Sequence, residues 1–165
     1  MSATDMALRT LQAMDRATVD MTVKVAAACQ QYLTDFDYSQ VNDEQAMELL
    51  TLLQLRALVD DRPLPRPEAL SQFLECFWRS LTEEEEIYLW ALQAVDEMER
   101  ALGQTDKAPW IAAQLEARSF DAESADLYTL RQEVTLADHL GLLTESQRQA
   151  LVRWLLPLLE HPETF

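Results

Sequence analysis

Two glycines in 165 residues, Gly103 and Gly141, constrain this chain more than any other feature. Tight hairpins, phosphate-cradling loops and doubly wound sheets lean on glycine for positive φ or for close backbone approach. A chain this poor in glycine has few means of building them, whereas helices need glycine only at their ends. Apolar residues make up 48% of the chain, enough for a real core and against wholesale disorder. The length suits one domain. The expectation is an all-α fold, a single-domain helical bundle of six or seven helices across residues 1–165.

Residues 5–33 read as one long helix. Ala7, Leu11, Met14, Thr18, Met21, Val25, Ala28 and Tyr32 alternate spacings of four and three, the seam of a helix packed lengthwise in a bundle or short coiled coil. A homodimer through the 5–33 helix is one way to fill that seam. Asn42, with Gln45 three residues on, looks like the N-cap of a second helix ending near Val59. Its apolar residues from Met47 onward nearly encircle it, so it is expected to be the most buried helix. Residues 60–67 hold three prolines and form the linker.

A third helix spans about residues 67–80. Thr82 with Glu85 forms a capping box for a fourth, which Gly103 closes at C′. A shorter helix follows over about residues 109–118. Another runs from about 121 to 140, with Leu127, Leu130, Val134 and Ala137 inward and Gly141 at its end. Thr144 with Gln147 caps the last helix, which Pro157 is expected to kink or end.

Thirteen Lys and Arg stand against 29 Asp and Glu, a net charge of −16. Only Lys24 and Lys107 are lysines, and the arginines come singly, so direct binding to nucleic acid is not expected. Cys29 and Cys76 are too few for a disulfide framework, and no apolar run approaches the ~18 residues of a membrane span. A reduced, cytoplasmic protein without membrane contact is the expectation, with no signal peptide at its start.

The four carboxylates Glu83, Glu84, Glu85 and Glu86 are the most visible charge run. At a helix start such carboxylates complement the dipole, which is the favoured reading; docking a basic partner is the other. Glu83 and Glu86, with Glu123 and Asp126, form two i, i+3 acidic pairs that could hold Mg²⁺ through oxygen ligands. This arrangement resembles the paired acidic motifs of the all-α nucleotide pyrophosphohydrolases of the MazG and dimeric dUTPase type. The resemblance implies a Mg²⁺-dependent enzyme as an alternative reading.

Asp35, Asp37, Ser39 and Asp43 imitate part of a calcium loop, but Gln40 replaces the turning glycine and Ala46 the bidentate Glu, so a solvated Asx turn is expected. His139 and His161 lack the Glu-x-x-His spacing of a bundle di-iron site, and His139 falls where an imidazolium complements a helix C-terminus. Residues 137–142, Ala-Asp-His-Leu-Gly-Leu, resemble the Asp-His segment of all-α redox-enzyme chaperones of the TorD/DmsD type. No nucleophile elbow occurs. Trp154, Leu155, Leu158 and Leu159 either close the core or offer an apolar patch to another chain.

These observations favour a non-enzymatic acidic interaction module: an adaptor, an assembly or secretion chaperone, an inhibitor or an immunity-type protein. Its partner would present a basic surface to Glu83, Glu84, Glu85 and Glu86 or an apolar one to Trp154, Leu155, Leu158 and Leu159. On this reading no catalytic residue, cofactor or resident metal is expected. A nucleic-acid mimic blocking a DNA- or RNA-binding protein is a further alternative, weakened by Arg100, Arg118 and Arg131 interrupting the acidic faces.

Overall fold

The computed structural model describes residues 3–118, 127–143 and 145–160. The fold is all-α, with seven helices and no strand among the described residues. The helices are α1 (Ala3–Asp35), α2 (Asp43–Val59), α3 (Pro67–Thr82), α4 (Leu89–Leu102), α5 (Ala108–Ala117), α6 (Leu127–His139) and α7 (Glu145–Glu160). They group into two compact units, Met1–Phe77 and Trp78–Phe165.

In the first unit α1 packs on α2. Ala26, Cys29 and Leu33 of α1 are buried, as are Ala46, Leu49, Leu50 and Leu53 of α2. Both sets recur at the three-, four- and seven-residue spacings of one helical face. Asn42 caps α2 as its sequence suggested, its Oδ1 accepting from the Gln45 N–H at 2.9 Å. The chain between these helices closes over α1. The Tyr38 hydroxyl donates to the Leu33 carbonyl at 2.8 Å, satisfying one of the acceptors that a helix end leaves open. Phe36, Tyr38 and Phe73 meet edge-to-face, and Phe73 stacks on Phe77. Burial pushes the Tyr38 phenol and the Cys29 thiol above their ordinary pKa values.

Arg66 ties the linker to this cluster. Its Nη1 donates to the Thr34 and Phe36 carbonyls, each at 3.1 Å, and its guanidinium lies 5.0 Å from the Tyr38 ring centre. Its own backbone has φ 50°, a left-handed conformation, while its carbonyl accepts from the Leu70 N–H at 3.2 Å to begin α3. The proline that follows disfavours a right-handed helical Arg66, so the chain turns here and enters the helix at Pro67. At the other end of the linker the Asp60 carboxylate accepts from the Arg62 backbone and guanidinium, which holds it below the usual carboxylate range.

In the second unit α4 packs against α5 and α6. Leu89, Ala91, Leu92, Ala94, Val95, Asp96, Met98 and Glu99 of α4 are all buried. Both glycines do what their scarcity implied. Gly103 and Gly141 each adopt φ 68°, donating to Arg100 and Asp138, while Gln104 and Leu142 donate to Glu99 and Ala137. This paired closure is a Schellman motif, and it needs a residue that tolerates the left-handed region.

Four expectations are corrected. Among the described side chains the α1 seam is not the face packed inside the chain: Met14, Thr18, Met21, Ala28 and Tyr32 are exposed and Val25 half-buried, while the side chains of Ala7 and Leu11 lie outside the described residues. The buried line through Ala26, Cys29 and Leu33 lies beside it and is the one buried where α1 packs on α2. The most buried helix is α4 and not α2, whose Met47, Leu55 and Leu58 face out. Thr82 opens no capping box. Leu81 is buried and keeps α3 helical through Thr82, whose hydroxyl donates back to the Arg79 carbonyl at 2.7 Å. The fourth helix starts only at Leu89, after Tyr88, which supplies no side-chain cap. Finally, of the two outcomes expected at Pro157, a kink or an end, the end is corrected: α7 continues to Glu160. In α6, Val134 and Ala137 are half-buried and Leu136 is the residue fully enclosed. The side chains of Leu127 and Leu130, and Thr144, lie outside the described residues.

Candidate functional site

The glutamates at 83–86 sit in the connection between α3 and α4, not in the first turn of a helix. All four are exposed. The dipole-complementing role open to carboxylates at a helix start therefore does not apply to them. Only the backbone is anchored, with the Glu84 N–H donating to the Leu81 carbonyl at 3.1 Å. No ion pair engages these carboxylates among the described residues. The result is a short acidic loop between two buried leucines, Leu81 and Leu89.

The Mg²⁺ alternative needs Glu83 and Glu86 one turn apart on a helix, and the loop does not provide that helical pair. Glu123 and Asp126 lie outside the described residues. Among the described residues no group of three or more His, Cys, Asp or Glu side chains is arranged to hold a metal ion. At the imitation calcium loop, Asp37 accepts from the Ser39 N–H at 3.1 Å and from its hydroxyl. These bonds lower the Asp37 pKa and make the segment an Asx turn.

At the C-terminal segment Leu155 is half-buried, while Val152 and Leu156 are exposed. The side chains of Trp154, Leu158 and Leu159, and the whole of residues 161–165, lie outside the described residues. No helix among the described residues is long and apolar enough to cross a membrane.

Sequence reasoning missed a polar network inside the second unit. Glu99 is 2% exposed, and its Oε1 accepts from the Lys107 N–H at 2.9 Å. Its Oε2 is buried with no hydrogen-bond partner among the described residues. Burial pushes the carboxyl above its ordinary pKa, partly offset by the Lys107 backbone hydrogen bond and charge. Lys107 is itself buried, with Nζ 4.8 Å from the centre of the Trp78 ring, and Trp78 meets Trp110 edge-on. One turn of α4 earlier, Asp96 Oδ2 lies 3.1 Å from His139 Nδ1 in the last turn of α6. Beside it, burial followed by the Asp96 charge raises the Glu97 pKa. The available signal was carboxylates at positions 96 and 99, one helical turn or two from Leu89, Leu92 and Val95 and therefore on the apolar face of the helix. Their partners, eight and 43 residues away, left no local trace.

A cleft of about 280 Å³ in this unit is lined by Leu115, Arg118, Glu133, Ala137 and Leu142 among others. Arg118 faces Glu133 across 3.7 Å and donates from Nη1 to the Ile87 carbonyl at 3.3 Å. The cleft is at the small end for a ligand site, and of its three charged residues, Glu116, Arg118 and Glu133, the last two already face each other. The exposed acidic loop takes no part in the contacts around Glu99 and Asp96. Compared with protein-family models, curated proteins and solved structures, the chain matches none of them.

Proposed function

We propose that the chain is a non-enzymatic protein–protein interaction module that presents the acidic 83–86 loop to a basic surface on its partner. The observation carrying this reading is the setting of the four glutamates: exposed, consecutive, outside any helix start and without an ion pair among the described residues. Four adjacent like charges repel one another, and neither helix capping nor core packing asks for them. A cationic partner surface relieves that repulsion and gains speed of encounter from the chain's net charge of −16. An adaptor, assembly chaperone, inhibitor or immunity-type protein would all use such a loop in this way, in the cytoplasm.

Paired affinity capture from a lysate of the native host tests the reading. The wild-type chain and a chain with all four glutamates changed to glutamine serve as baits. The expected result is a basic protein retained by the wild type and lost from the quadruple variant, whose fold stays intact because all four side chains are exposed. Identical captures by both baits would overturn the proposal.

A further inference from the structure

Helix α1 is far longer than the helix it packs on. Its 33 residues rise about 50 Å, against about 25 Å for the 17 residues of α2. The buried positions of α1 begin only at Ala26 among the described side chains. Over residues 13–21 every described side chain is exposed, Met14 and Met21 by 60% and 67%. A lone helical stretch gains most of its stability from packing, and this stretch exposes Met14 and Met21 at heptad spacing.

The charge of this segment differs from that of the remainder. Residues 1–34 carry Asp5, Asp15 and Asp20 against Arg9, Arg16 and Lys24, so they are neutral. The whole net charge of −16 lies after them. Two copies meeting through this segment bring no net charge together.

We infer that the N-terminal half of α1 pairs with the same segment of a second copy of this chain, the two helices running antiparallel. The direction follows from charge. In a parallel pair the acidic remainders of the two Met1–Phe77 units, each with nine carboxylates against Arg56, Arg62 and Arg66 after residue 34, would lie side by side. An antiparallel pair places them at opposite ends of the joined helices, beyond the ~8 Å Debye length at physiological salt. A register centred near Arg16 places Met14 of one copy against Thr18 of the other, matching heptad d to heptad a. The seam lies beside the Ala26–Cys29–Leu33 face, so α1 can hold α2 and a second copy together.

Sedimentation equilibrium of the full chain over a range of concentrations tests the pairing. The wild type is expected to dimerise. Met14→Glu combined with Met21→Glu should give a monomer of unchanged helix content, and Leu58→Glu, on the exposed face of α2, should leave the dimer intact. A wild type that stays monomeric to several hundred micromolar, or a dimer untouched by the double change, overturns the inference. Direction is read by oxidative cross-linking in a Cys76→Ser background. Met14→Cys mixed with Thr18→Cys should give the mixed disulfide; a dominant disulfide of Met14→Cys with itself contradicts the antiparallel arrangement.

Discussion

Replacing Arg66 by alanine strikes the point where the end of α1, the proline-rich linker and the aromatic cluster meet. The substitution removes the Nη1 hydrogen bonds to Thr34 and Phe36 and the contact with the Tyr38 ring. Hydrogen bonds from a charged donor contribute about 1.5–3 kcal/mol, and an exposed cation–π contact about 0.5–1 kcal/mol. Both carbonyls share one nitrogen and the side chain is largely solvated, so the expected loss is about 2 kcal/mol for the Met1–Phe77 unit. The backbone supplies an internal comparison. At φ 50° a non-glycine residue carries about 1–2 kcal/mol of strain. Arg66→Gly loses the same contacts but relieves that strain, and should be more stable than Arg66→Ala by about 1 kcal/mol. Urea unfolding followed by far-ultraviolet circular dichroism measures both. Tryptophan fluorescence, from four residues that all lie beyond Phe77, follows the other unit separately. An alanine variant within about 0.5 kcal/mol of wild type, or a glycine variant less stable than it, would refute the reasoning.

Leu53→Ala should cost about 2–5 kcal/mol because Leu53 is 2% exposed, whereas Leu58→Ala, at 83% exposure, should stay within about 0.5 kcal/mol; equal losses in urea unfolding would contradict the placement of α2. The raised carboxyls of Glu97 and Glu99 bind protons more readily in the folded state than in the unfolded one. Their contribution is therefore fully present below the ordinary carboxylate pKa and is lost as pH rises through the raised folded values. Glu99→Gln keeps an oxygen for the Lys107 N–H and should flatten that slope, leaving stability near pH 7 at or above wild type; an unchanged slope with a destabilised protein would count against it.

The parts of the fold legible in the sequence were those fixed by local chemistry. Asn42 caps α2, and Gly103 and Gly141 close α4 and α6, because each meets a backbone requirement within a few residues of itself. Rotation about the α1 axis was not legible. The stripes through Met21 and through Cys29 are both apolar at helical spacing, and only the approach of α2 selects the second. The Thr82–Glu85 spacing satisfied a capping rule, but burial of Leu81 was the stronger demand and carried α3 past it. The acidic loop shows the same division: its residues were evident from the sequence, while its position outside a helix depended on where α3 stopped. The Glu99–Lys107 and Asp96–His139 contacts stayed hidden because a carboxylate in an apolar helix does not name its distant partner.

The central claim, that the 83–86 loop recognises a basic surface, is tested most directly by the association rate with the captured partner. Stopped-flow mixing at low and high salt compares the wild type with Glu84→Lys/Glu86→Lys. Long-range attraction between opposite charges raises the on-rate and is screened by salt. The account predicts a wild-type rate that falls as salt rises, and a slower rate with a weaker salt dependence for the double reversal. A wild-type rate insensitive to salt and unchanged by the reversal would contradict it, and would assign recognition to an apolar surface instead.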